Sequence, residues 1–129
     1  MRTLLKVIAV LGLFILQACS GGSNEIQYLG PAEFQKSIET KKGLLIDVRT
    51  PEEYVEGHIK GSATIDFYEP NFESKLNRLD RNKAIFVYCA SGSRSGKTSK
   101  MAHTLGFKEI YTLKGGFNAW EESGLPVKR

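Results

Sequence analysis

Ala84-Ile85-Phe86-Val87-Tyr88-Cys89-Ala90-Ser91-Gly92-Ser93-Arg94 is the stretch from which the rest of the chain can be read. Its first five residues form an unbroken apolar run with β-branched and aromatic side chains, the pattern of a strand buried on both faces. A cysteine and four small residues follow, then an arginine. A helix is expected from Ser95 to Leu105, with Met101, Ala102 and Leu105 facing inward. Strand, tight loop and helix in that order make half of a βαβ unit.

The alternation continues outward in both directions. Upstream, Glu25–Gly30 reads as a short strand. Pro31–Thr40 reads as a helix with proline in its first turn and Phe34 and Ile38 four apart. Leu44–Val48 is a second buried strand. Thr50-Pro51-Glu52-Glu53 supplies an N-cap, an N1 proline and first-turn acids for a short helix ending near Glu56. Ala63–Ile65 is a third strand, and Asn71–Leu79 is helical on its Phe72, Leu76 and Leu79 spacing. Downstream come a strand at Glu109–Leu113, a turn at Gly115-Gly116, and a last helix opened by Phe117 and Trp120, whose side chains suit a core. Strands separated by helices predict parallel pairing in an open α/β sheet, with reactive groups beyond the carboxyl ends of the strands.

Composition narrows the class further. A chain of 129 residues holds one ordinary domain, and 41% hydrophobic with 25% charged residues excludes disorder and fibrous repeats. Two cysteines exclude a disulfide-rich scaffold and a multi-cysteine zinc module. Arg2 and Lys6 account for two of the four net positive charges, so the remainder is too weakly basic for a nucleic-acid binder. His58 is expected to hydrogen-bond the turn after the short helix and His103 to be exposed on a helix. No acid cluster surrounds either, and no metal site is indicated.

Residues 1–18 have a different character. A positive start is followed by ten uncharged, mostly large apolar residues, Val7–Leu16, which fit a signal-peptide core and are too short for an ordinary spanning helix. Leu16-Gln17-Ala18-Cys19 then resembles a bacterial lipoprotein signal, in which the cysteine is acylated and becomes the first mature residue. The alternative is a cleaved secretory signal with an incidental cysteine. On the lipoprotein reading Cys19 carries fatty acyl chains such as palmitate, residues 19–24 form a flexible tether, and 25–129 form the domain. The protein then faces the periplasm from the cell envelope, and Ser20 favours the outer membrane by the same resemblance. More than one acyl chain gives stable attachment. Cys89 is then without an intramolecular partner, and a lone thiol in an oxidising compartment has to be buried or used.

Small residues between a strand end and a helix start can curl so that backbone N–H groups converge on one centre, an anion-binding nest. The helix N-terminus and Arg94 add positive potential, so Cys89 is expected to be an acidic, reactive thiol. The competing reading is a buried structural cysteine. Asp47 and Arg49 end the second strand on the loop's side of the sheet and read by themselves as a surface ion pair. Gly92-Ser93-Arg94-Ser95-Gly96-Lys97-Thr98 mimics a nucleotide P-loop, but only three residues separate its glycines, and the motif requires four.

With these residues in place, the chain resembles the rhodanese (sulfurtransferase) family, of the single-domain kind. The resembling blocks are Leu45–Tyr54, Gly57–Ser62, Val87–Ser95, Gly106-Phe107, Leu113–Trp120 and Gly124–Pro126. The resemblance implies a five-stranded parallel sheet and an active-site loop of Cys89, Ala90, Ser91, Gly92, Ser93 and Arg94. It implies Cys89 as nucleophile and sulfur carrier and Asp47 and Arg49 as loop supports, with no cofactor. It further implies a persulfide intermediate, loaded from a small sulfur donor such as thiosulfate and discharged to cyanide or a thiol, including a periplasmic thiol protein. Ala90 stands where many members have arginine. Phosphatases sharing this fold use Cys-x5-Arg, whereas Cys89 and Arg94 give Cys-x4-Arg, a smaller cradle suited to one sulfur atom. The alternative function is a non-catalytic module that binds a partner or senses sulfur.

Overall fold

A computed structural model describes residues 24–129; the leader and Cys19 lie outside them. The elements are β1 (Ile26–Leu29), α1 (Pro31–Thr40), β2 (Gly43–Asp47), α2 (Pro51–Glu56), β3 (Ala63–Thr64), α3 (Phe72–Asn77), β4 (Ala84–Tyr88), α4 (Ser93–Thr104), β5 (Ile110–Leu113) and α5 (Gly116–Glu122). All five strands pair in parallel, in the order β1-β5-β4-β2-β3. The expected open α/β sheet flanked by helices is therefore present.

Period-two alternation along β4 divides the core into two layers. Ile85 and Val87 pack with Phe72, Leu76 and Ala102 of α3 and α4, while Phe86 and Tyr88 pack with Phe34, Phe117 and Trp120 of α1 and α5. Phe34 meets both Phe86 and Trp120 edge to face. The expected core placement of Phe117 and Trp120 holds.

Several boundaries shift by one or two residues from expectation, among them those of α3, β3 and α4. Helix α3 stops at Asn77, and Leu79 donates its N–H to the Leu76 carbonyl in a tightened last turn. Strand β3 is only two exposed residues, although the Ile65 N–H still reaches the Asp47 carbonyl. Helix α4 opens at Ser93, two residues earlier than expected, because Gly92 takes a left-handed conformation (φ +109°) and accepts the first helical bond from Gly96. Arg94 thus lies inside the first helical turn, and the run that mimics a P-loop is mostly helix.

Candidate active site

The connection from β2 through α2 to β3 runs toward one sheet edge, and that from β4 through α4 to β5 runs toward the other. Such a switch point leaves a crevice outside the carboxyl ends of the two diverging strands, here β2 and β4. Cys89 follows β4 into this crevice, and Arg49 follows β2.

Parity places the sulfur. Residues 85, 87 and 89 share one face, so Cys89 continues the row beneath α4 and is only 1% exposed. The Gly92 N–H donates to Sγ at 3.1 Å, and the Ser95 hydroxyl lies 3.4 Å from Sγ while also reaching the Gly92 carbonyl. Burial disfavours the thiolate, but the Ser95 hydroxyl and the amides of Ser95, Gly92 and Ser91 outweigh it and hold the Cys89 pKa below that of an ordinary thiol.

The loop keeps its amides inward because its carbonyls are claimed from outside. Phe117 and Asn118, in the first turn of α5, donate their N–H groups to the carbonyls of Cys89 (2.8 Å) and Ala90 (3.0 Å). Gly116 allows this approach: a β-carbon there would lie 2.5 Å from the Ala90 oxygen. Of the loop residues, Ser91 and Gly92 turn amides to the sulfur, Ser93 is exposed at the helix start, and Ala90 borders a polar cleft of about 330 Å³ shared with Arg49, Glu53 and Asn118.

Arg94 turns sideways. Its Nη1 and Nη2 each donate at 2.8 Å to one oxygen of Glu53, a two-pronged pair that holds the Glu53 carboxyl at about 2, well below the usual range. Glu53 also accepts from the Thr50 N–H, completing a capping box at the start of α2. The Arg94 guanidinium lies 5.6 Å from the centre of the exposed Tyr68 ring.

Asp47 and Arg49 form a buried pair. Arg49 donates through Nε and Nη2 to the Asp47 carboxylate, with a shortest contact of 2.8 Å, and through Nη2 to the Gly57 carbonyl at 2.7 Å. Its guanidinium sits 4.2 Å from the Phe117 ring centre, against the residue whose amide holds the Cys89 carbonyl. The surface alternative is excluded by exposures of 5% and 0%. His58 hydrogen-bonds the Tyr54 carbonyl and stacks on the Tyr54 ring, and His103 is exposed. Among the described residues no group of histidine, cysteine and acidic side chains could hold a metal ion.

Sequence reasoning missed Ser95, Glu53 and the α5 amides. Ser95 was legible in principle as a hydroxyl one residue beyond the loop. Glu53 is 41 residues from Arg94 in the chain and shows only as a capping residue.

Residues 30–123 match the family described as rhodanese-like domain. The chain is 38% identical over 80 residues to the uncharacterized protein YqhL of Bacillus subtilis, covering 62% of each chain. It is 28% identical over 100 residues to thiosulfate sulfurtransferase GlpE of Actinobacillus pleuropneumoniae, covering 78% of this chain and 91% of GlpE. It is also 33% identical over 112 residues to the tRNA uridine(34) hydroxylase of Pelagibacter ubique, covering 86% of this chain but 36% of that protein. The chain thus spans less than two thirds of the first and third of these relatives. Among solved structures, a rhodanese-related protein from Thermoplasma volcanium superposes with a TM-score of 0.70 at 29% identity, covering 79% of this chain and 97% of that one.

Proposed function

This chain belongs to the rhodanese-like domain family, and we propose that it is a sulfurtransferase in which Cys89 carries sulfane sulfur as a persulfide between a donor and a thiol or cyanide acceptor. The observation that carries this reading is the sulfur itself, held at the end of the central strand with the Gly92 N–H at 3.1 Å and the Ser95 hydroxyl at 3.4 Å. These donors favour the thiolate needed for attack and offer the same support to the charge of a bound persulfide. Cys89 is nucleophile and carrier; the amides of Ser91 and Gly92 and the flanking Ala90, Ser93 and Arg94 form the cradle. Asp47 and Arg49 support the loop through Phe117. The chain's own residues suffice for this chemistry without a cofactor.

Relatives named as sulfurtransferases support this reading. Low exposure of Cys89 favours one rival, a binding or sulfur-sensing module with a closed cradle. Mass spectrometry after incubation with a panel of sulfane donors separates the two: gain of one sulfur atom in the wild type and none in Cys89→Ser supports transfer, and no gain from any donor supports the rival. We also propose that Cys19 is acylated and that the domain works in the cell envelope facing the periplasm; the residues of the leader support this placement.

A further inference from the structure

Cys89 reacts as a thiolate, so the cradle carries a negative charge before any donor arrives. Arg94 is the one charged residue of the six-residue loop. Both of its outer nitrogens are taken by the two oxygens of Glu53, in a pair whose side chains are 16% and 32% exposed. Arg49, also at the crevice, is committed in the same way to Asp47 and to the Gly57 carbonyl, and Arg129, which lines the same cleft, pairs with Glu121 at 3.2 Å. Each guanidinium therefore brings its own carboxylate, and each pair is neutral. What faces the sulfur is N–H and hydroxyl donors, which offer partial charges only. Ala90, beside the cysteine at the cleft, adds none.

Two donor classes place different charge on such a site. Attack on thiosulfate forms the Cys89 S–S bond, breaks the donor's S–S bond and releases sulfite with the electron pair, so three negative charges share the site throughout. Attack on the outer sulfur of R–S–SH, with uncharged R, forms the same bond and releases R–S⁻, the persulfide proton staying on the transferred sulfur. One negative charge is then present, or two where the donor persulfide is ionised, against three for thiosulfate. A crevice whose arginines are already neutralised handles the second far better than the first.

Resting on the sulfurtransferase reading, we propose that the donor is a persulfide of low charge and that Glu53, by occupying Arg94, is the residue that discriminates against the thiosulfate dianion. Glu53 acts through Arg94 and is a positioning residue.

The test is the ratio of second-order loading rates for thiosulfate and for 2-hydroxyethyl persulfide, read as Cys89 persulfide by intact mass on the full chain in detergent. The wild-type ratio should be below one. Glu53→Gln retains a side chain that can accept from Thr50 and cap α2 but removes the charge. It should raise the ratio about tenfold, the order of effect of removing one unit charge from a partly screened site. Ala90→Lys leaves the Glu53–Arg94 pair untouched and should move the ratio the same way, so the outcome does not hang on one variant folding. Thiosulfate loading that matches or exceeds persulfide loading in the wild type overturns the inference while leaving sulfur transfer standing. So does a ratio unmoved in folded Glu53→Gln, or, if that variant does not fold, one unmoved in Ala90→Lys. Loading from neither donor overturns the sulfurtransferase reading and this inference together.

Discussion

Gly116 and Ala90 touch backbone to backbone: a β-carbon on Gly116 would lie 2.5 Å from the Ala90 carbonyl oxygen and 2.6 Å from that of Cys89. Gly116 also sits at φ +61°, a conformation that side chains resist. This approach lets the first amides of α5 take the loop carbonyls, which leaves the loop amides free to face the sulfur.

Gly116→Ala should therefore displace the loop and cost about 2 kcal/mol or more, since neither neighbour is a flexible side chain that can yield. Denaturant unfolding reads the loss, and slower alkylation of Cys89 reads the displaced cradle. Gly96→Ala is the contrast. Its β-carbon meets nothing within 4 Å, and inside α4 it should stabilise by roughly 0.5–1 kcal/mol.

The pH profile of Cys89 alkylation should have its midpoint below that of a free thiol, because hydrogen bonds to the thiolate outweigh burial. Ser95→Ala removes the hydroxyl donor, raises the pKa and moves the profile to higher pH. At pH 7 the thiolate fraction falls, and alkylation should slow by roughly tenfold, the worth of one hydrogen bond to a charged group. A profile unmoved by Ser95→Ala would remove the hydroxyl from the account of the thiolate.

Asp47→Ala leaves the Arg49 guanidinium buried without its carboxylate and should cost about 3–5 kcal/mol. Lys41→Ala, which breaks the exposed pair with Glu109, should leave the melting temperature almost unchanged. Parallel thermal melts check both. Because Arg49 backs Phe117, persulfide loading of Asp47→Ala should fall even at temperatures where the domain is folded.

Cys19→Ala should abolish fatty-acid labelling and leave an uncleaved precursor or a released product. Labelling with a palmitate analogue and fractionation of wild type and variant test this. A wild-type chain that takes no label and fractionates as soluble would remove the anchor.

The sequence alone determined the sheet class, the strand that ends in Cys89 and the nest-forming loop, because these depend on local period, small residues and their order along the chain. It also carried the expectation that Cys89 is acidic, since a strand end, a tight turn and a helix start are contiguous. Tertiary structure decided what those groups do together. Arg94 reads in sequence as a free cation beside the thiolate, yet α2 brings Glu53 across the switch point to neutralise it. Asp47 and Arg49 admit two readings in sequence; the fold buries them and sets Arg49 against Phe117. Gly115-Gly116 reads only as a turn, and the parallel order places it against the loop from 26 residues away along the chain, counting from Ala90 to Gly116. A charge or a hydrogen bond takes its value from partners chosen in space, and composition and spacing do not record partners that the chain brings together only on folding.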